Sequence, residues 1–444
     1  MNFSTALKFI KRGKVRRLMS KENNSRQAYS FFRLPLEKGT RIFRLSTLNA
    51  HSAFRRPHKP YLPVTIRMMS FRREVLTISV RIADECEERV LIRVRETELW
   101  INCTVDTDEH YLSRYAWFAL HELLYLRKSY DFDKYYWPGF FDPKTGKSKY
   151  LNIINDRKGL DVYLKPKYPA FYKPGDPLPP VRTCNDAPVV RKAVKKVKTF
   201  ITDPHHSIGY ILADTNMRSL HSPHYPFLIP FYGLCTQDLA KIKSFTAFIT
   251  KGQQLPFLLF NESQLMLNEA CYRMKELAPL EGEQNSAGSM EAEELFNLWQ
   301  QQICTLALQD HTYYYFTFGL KNVKGRPRKR WLRQCRFSIA VPELIIECLD
   351  KGDYVELALK FKVKGRKFIP HQLSTAFFIS SRQDPMTFYL LDSYYDCLLL
   401  EYFSKLGFKM GVLKADYGKI WGLGTFRELE YIRSIFGKGL GPDS

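Results

Sequence analysis

The sequence predicts a multi-part α+β protein, on three observations. Residues 64–127 alternate apolar and polar side chains and then switch to a helical period. Residues 131–188 are crowded with Pro and aromatic side chains, and strand-like runs return after His311. These patterns predict a small strand-strand-strand-helix unit, a helical middle and a mixed strand/helix C-terminal part. The chain has 444 residues, 45% of them hydrophobic and 14% aromatic, enough for two or three packed domains.

Taken in order, residues 1–60 show no sustained period and are rich in Arg, Ser and Asn, as expected of a loosely attached basic N-terminal arm. In 61–130, Leu76, Ile78, Val80 and Ile82 alternate with polar residues, as do Val90, Ile92 and Val94, then Leu99, Ile101, Cys103 and Val105. A period of two with one apolar face means three short strands. Leu112, Tyr115, Ala116, Ala119, Leu120, Leu123 and Leu124 then repeat at three and four residues, which makes a helix. Residues 131–188, including YLKPKYPAFYKPGDPLPP, read as an extended connection, because Pro fixes φ and restricts the residue before it. Its many Tyr and Phe predict that it packs on the body.

Residues 189–306 read as mainly helical. Thr236 is placed to cap a helix through Leu239 and Ile242, and Leu267, Ala270, Cys271, Met274 and Leu277 form an apolar stripe. Residues 307–444 return to strands in HTYYYFTFGL, CRFSIAV, YVELALKFKV and TFYLL. The last leads into a helix through Leu398, Leu399, Tyr402 and Phe403, with Gly407 as its C-terminal cap and FKMGVL as a following strand, a local β-α-β unit.

The strand–helix unit resembles a SWIM domain, a small zinc module with CxC on a hairpin and CxH at a helix start. WINCTV followed by YLSRYAWFAL places Cys103, Val105, Ser113 and Tyr115 at the four ligand positions. One ligand of four is kept, and a thiolate site needs close to four, so the resemblance implies a zinc-less version. There Cys103 and Val105 face one side and the Tyr115 ring can fill the metal's volume. Over about residues 65–435, FLIPFYGLCTQDLAKIKSF, FLLFNESQLML and TFYLLDSYYDCLLLEYF resemble the non-motor region upstream of SWI/SNF-type helicases of Bacteroidetes. That likeness implies an accessory region beside a DNA-translocating motor, with the motor absent from this chain.

Several motifs point away from catalysis. PKTGKS, Pro143–Ser148, approaches a phosphate-binding loop, but Phe141 stands where the loop needs its first Gly, so a plain turn is expected. His205, His206, His221 and His224, with Cys184 and Cys235, match no zinc spacing and are expected in loops or core. HExxH and GxSxG are missing from the sequence. No cofactor and no metal is expected.

Charge points to the partner. The formal net charge is +23, and Met1–Arg73 holds 18 Lys and Arg against 2 acids. Such an excess attracts polyanions. KGRPRKR, Lys324–Arg330, resembles an AT-hook, the extended basic segment that enters a narrow minor groove; the plainer reading is a solvated hairpin tip. The expected nucleic-acid contacts are Lys324, Arg326, Arg328, Lys329, Arg330 and Arg333, with Arg12, Arg16 and Arg17 of the arm.

The expected function is therefore a non-catalytic nucleic-acid-binding accessory protein, DNA favoured over RNA, partnered by a SWI/SNF-type motor or other subunits. A structural subunit of a ribonucleoprotein and an unrecognised nuclease are the alternatives. The nine cysteines form no CxxC or CxC pair, which fits free thiols in a reducing compartment. No run approaches the roughly 20 apolar residues that cross a bilayer. The expected location is the cytoplasm, on the nucleoid, or an organellar matrix if MNFSTALKFIKRGKVRRLMSK is a transit peptide.

Overall fold

A computed structural model describes residues 30–52, 63–105, 109–157, 159–178, 191, 205–214, 225–238, 241–253, 260–278, 290–316, 332–371, 376–422 and 432–433. The chain divides into two units: residues 1–168 with 172–177, and residues 169–171 with 178–444. The architecture is mixed α+β and mostly strands. No described helix is long and apolar enough to cross a membrane.

The first unit runs β1 (Phe32–Pro35), β2 (Ile42–Arg44), α1 (Leu45–His51), β3 (Val64–Arg72), β4 (Val75–Ile82), β5 (Glu88–Val94), β6 (Glu98–Cys103), α2 (Arg114–Leu124), β7 (Ser129–Asp131), β8 (Leu151–Asp156) and β9 (Gly159–Leu164). Its main sheet is antiparallel with the order β1-β6-β5-β4-β3. The expected alternation holds: Leu76, Ile78, Val80, Ile82, Val90, Ile92, Val94, Leu99, Ile101 and Cys103 are all buried. Helix α2 packs over this sheet through Ala116, Phe118, Ala119 and Leu120.

The alternation on β3 is interrupted once. Met68 pairs with Ile78 but Ser70 pairs with Thr77, so Met69 is an extra residue. This bulge reverses the parity of β3, keeping Phe71 opposite Leu76 in the core and Arg72 opposite Val75 on the other face. It also hides the strand's period, so the sequence shows three strands where the structure has four. The β3–β4 turn puts Arg73 (φ 49°) and Glu74 (φ 63°) in the left-handed region. Two such residues match the twist of a hairpin but are disfavoured without Gly. Side chains hold them: Arg73 Nη2 donates to the Lys144 carbonyl (3.3 Å), and Glu74 Oε1 accepts from the Gly139 N–H (2.8 Å).

A second device ties residues 131–137 and 172–177 to β2. Arg41 is buried and pairs with Asp176 and with Asp133 (3.6 Å). It donates to the Pro174 carbonyl (2.6 Å) and lies 4.4 Å from the centre of the Tyr136 ring. Buried Lys173 reaches Asp133 Oδ2 (2.7 Å) and lies over the Trp137 ring. Burial lowers the Arg41 pKa, but Asp176 and Asp133 outweigh it, and the net shift is upward.

The second unit runs β10 (Ala170–Phe171), β11 (His206–Asp214), β12 (Phe227–Cys235), β13 (Ile242–Phe248), α3 (Glu262–Leu277), α4 (Met290–Leu306), β14 (Thr312–Phe316), β15 (Leu332–Gln334), β16 (Arg336–Ser338), β17 (Pro342–Asp350), β18 (Tyr354–Val363), β19 (Arg366–Phe368), β20 (Phe378–Ile379), β21 (Thr387–Leu390), α5 (Tyr394–Lys405), β22 (Lys409–Leu413), α6 (Lys414–Gly422) and β23 (Ile432–Arg433). One sheet has the order β13-β12-β11-β14-β15, with β14 parallel to β11 across the α3–α4 connection. A second is β10-β22-β18-β17-β23 with β19 on β18, and a third is β16-β21-β20. Asn261 and Ser393 form capping boxes at the starts of α3 and α5. Trp299 of α4 is fully buried, packs 4.8 Å from Phe378 and donates to the Pro226 carbonyl (3.0 Å).

Five expectations need correction. Residues 30–52 of the expected arm are folded, with Leu34, Leu36, Phe43 and Leu48 buried; two short strands and a seven-residue helix are too brief to show a period. The connection at 131–188 includes the β8–β9 hairpin and buried Tyr135, Tyr136, Trp137, Phe140 and Tyr150. The helical middle is three strands before its helices: FLIPFYGLC buries both faces, so its period of two is lost. Thr236 caps no helix; its Oγ1 accepts from the Lys241 N–H (3.2 Å) within the β12–β13 turn, and Ile242 begins β13. The last β-α-β unit is divided, since β21 and β22 lie in different sheets. Gly407, with φ 67°, does follow α5.

Replacing Arg41 by Ala leaves two carboxylates facing each other and releases residues 172–177. We expect the first unit to lose about 2 kcal/mol, less than for a fully buried pair because Asp133 and Asp176 keep some hydration. Hydrogen exchange over 129–137 and 172–177, with denaturant unfolding, measures it; unchanged protection there would refute the tie.

Candidate nucleic-acid interface

Arginine is the commonest of the side chains that alternate with the buried row of the first unit, and Glu98 of β6 is the acid among them. Strands pair residue to residue, and paired residues share a face. One row across the five strands is Arg33, Trp100, Arg93, Val75 and Arg72. A parallel row, two residues along β4, holds Leu91, Thr77 and Ser70. The next holds Arg89, Ser79 and Arg67, and then come Arg81 and Thr65. The five strands contain six arginines and no lysine, all six on this face, and Arg95 follows β5 with the same parity. At strand spacing the face is about 19 Å wide.

Carboxylates answer only part of this charge. Arg81 lies 3.6 Å from Glu87, and Arg95 lies 3.9 Å from Glu74. Arg33, Arg67, Arg72, Arg89 and Arg93 have no carboxylate partner and no side-chain hydrogen bond among the described residues. Arg33, Arg67, Arg72 and Arg89 are exposed. Arg93 is half-buried, and its Nε has no acceptor. Its pKa is lowered, first by burial and then by the Arg95 charge, against a weaker opposing pull from Glu74.

Trp100, on β6 next to the edge strand β1, organises one side of the face. From the neighbouring strand β1 Arg33 places its guanidinium 5.2 Å from the indole centre, and from the end of β5 Arg95 lies at 4.5 Å. Phe31 stands 5.8 Å away, and the indole N–H donates to Glu98 Oε1 (2.5 Å). Planar cations and rings thus meet on one surface.

Of the residues expected from sequence, Arg333 alone is among the described residues. Arg12, Arg16, Arg17, Lys324, Arg326, Arg328, Lys329 and Arg330 fall outside the described residues. Arg333 is exposed on β15, opposite Tyr314 of β14, so the strands flanking the basic segment pair antiparallel. The arginines of the first unit were visible in the sequence as the polar half of the alternation.

At the SWIM-like positions, Cys103 is buried at the end of β6 opposite Val90, and Ser113 caps α2 by accepting from the Ala116 N–H (3.3 Å). The Tyr115 hydroxyl donates to Glu85 Oε2 (2.7 Å), and Arg114 pairs with the other oxygen of that carboxylate (2.5 Å). The shared hydrogen bond raises the Tyr115 pKa to about 12 and lowers that of Glu85. No group of three or more His, Cys, Asp or Glu among the described residues is arranged to hold a metal.

The PKTGKS turn is closed by Asp142. Its Oδ1 accepts from the N–H of Lys144 (2.7 Å) and Thr145 (2.9 Å), and its carbonyl from the N–H of Gly146 (2.8 Å). The amides that a phosphate loop would present are already engaged. In the second unit Cys235 Sγ lies 3.8 Å from His311 Nε2; burial pushes that thiol's pKa up, so it stays protonated. Cys184, His221 and His224 fall outside the described residues.

A half-buried cation without an acceptor weakens the fold that carries it. Arg93→Met is therefore expected to raise the unfolding midpoint of the chain, and calorimetry showing a clear fall would mean Arg93 has a native partner. No protein-family model matches the chain, and no curated protein or solved structure matches it either.

Proposed function

We propose that the chain is a non-catalytic accessory protein that binds nucleic acid through the arginine face of its first unit. The observation that carries this reading is one sheet face with five arginines lacking carboxylate partners among the described residues, and no lysine on its strands. A merely solvated surface is served by Lys, Glu and mixed pairs. Guanidinium is planar, weakly hydrated and matched to phosphate by paired N–H donors, which lysine is not.

The segments at Arg12–Arg17 and Lys324–Arg333 add to this surface as further phosphate contacts, without base-specific information. The resemblance to the region upstream of SWI/SNF-type helicases supports a place beside a DNA-translocating motor, on the nucleoid in the cytoplasm. The zinc-less SWIM-like unit then serves as the binding platform, with no metal or cofactor in its chemistry.

The test is the salt dependence of binding. The log–log slope of affinity against salt is expected to scale as about 0.9 per phosphate contact on duplex and about 0.7 on a single strand. The triple variant Arg67→Gln, Arg72→Gln, Arg89→Gln is expected to keep its unfolding midpoint and lose about 2 from the slope's magnitude on a single strand. Binding that ignores salt, or no binding to any nucleic acid, would remove the reading.

A further inference from the structure

Resting on that reading, we propose that the arginine face takes a single, unpaired nucleic-acid strand, laid across Arg33, Trp100, Arg93 and Arg72, and not a duplex.

The first argument is shape. The platform is about 19 Å wide, whereas a duplex major groove is about 12 Å and a minor groove about 6 Å. The face enters neither groove. Against the outside of a duplex, a broad sheet meets a cylinder along a narrow line, and most of its arginines reach no phosphate. A flexible strand can follow the sheet and engage Arg33, Arg93 and Arg72 in succession, since they sit in one register row on β1, β5 and β3.

The second argument is chemical. The β1–β6 end of the row is planar and π-rich, with Trp100 near Phe31 and the guanidinium groups of Arg33 and Arg95 5.2 Å and 4.5 Å from its ring centre. Bases bind such groups by their faces. A duplex keeps those faces inside its own stack. The third is Arg93, held beside Arg95 with a buried Nε that lacks an acceptor. A phosphate there supplies the acceptor and cancels the repulsion between the two cations. An acidic peptide could answer the charge, but not the rings.

The experiment uses the full chain and three labelled oligonucleotides of one mixed sequence: single-stranded DNA, single-stranded RNA and the DNA duplex. Anisotropy titrations compare the parent with Arg93→Gln, Arg93→Lys, Trp100→Phe and Trp100→Leu. Arg93→Gln and Trp100→Leu are expected to weaken single-strand binding by about tenfold and to leave duplex binding unchanged. Arg93→Lys is expected to stay weak, because an ammonium lacks the fork, while Trp100→Phe keeps most of the affinity. Unfolding midpoints separate loss of contact from loss of fold. A gap between the DNA and RNA strands reports whether a 2′-hydroxyl is sensed.

Equal losses on duplex and single strand would overturn this inference and leave the nucleic-acid reading standing. Unchanged single-strand binding in Arg93→Gln and Trp100→Leu would overturn it too, as would equally tight displacement by polyglutamate. No binding of any oligonucleotide by the parent would end both.

Discussion

The register of β3, β4, β5 and β6 is the constraint on which the first unit depends. Because strand side chains alternate with period two, one choice of pairing sends Leu76, Ile78, Val90, Ile92, Leu99 and Ile101 under α2 and the arginines outward. A slip of one residue in any strand would exchange the two sets. Burying even one unpaired guanidinium costs several kcal/mol, so a one-residue slip of β3, β4 or β5 is excluded by charge as well as by lost apolar contact. The arginine face therefore helps specify the fold that displays it. The bulge at Met69 shows how tightly this holds, since the extra residue returns both Phe71 and Arg72 to their proper sides.

Two arginines of the same unit show the difference between a structural cation and one kept for a partner. Arg41 is buried with two carboxylates, a carbonyl and an aromatic ring around it, and its pKa is raised. Arg93 is half-buried with another arginine beside it and no acceptor, and its pKa is lowered. Packing explains the first without reference to any ligand. Among the described residues the second has no hydrogen-bond acceptor and only the weaker pull of Glu74, and under-compensated polar groups concentrate where proteins bind.

How much of this was legible in the sequence follows from element length and burial. The strands at 75–82, 88–94 and 98–103 each pack one face on the core, so their periods survive in the residue pattern; helix α2 is buried more widely, yet its apolar residues still recur at three and four residues. Strand β12 buries both sides and reads as an undivided apolar run, which is why the middle of the chain was taken for helix. Residues 30–52 contribute four buried apolar side chains, Leu34, Leu36, Phe43 and Leu48, at irregular spacing, too few for any periodic signal. The PKTGKS turn was legible because the missing first Gly is a local fact, and Asp142 supplies the closure that the sequence did not specify.

The candidate site was hidden by how charge was tallied. The excess between Met1 and Arg73 looks like one basic arm when counted as a block. In the fold that block separates by role: Arg41 is locked in ion pairs, Arg44 is exposed beside Glu37, Arg73 braces a turn, and Arg33, Arg67 and Arg72 stand on the open face. Arg89 and Arg93, from beyond the block, complete that face through β5. Net charge reports long-range attraction to a polyanion, but only register tells which cations can act on it together. A surface built by pairing distant strands leaves no contiguous motif, and this one is recognised by reading the outward residues of each strand as a set.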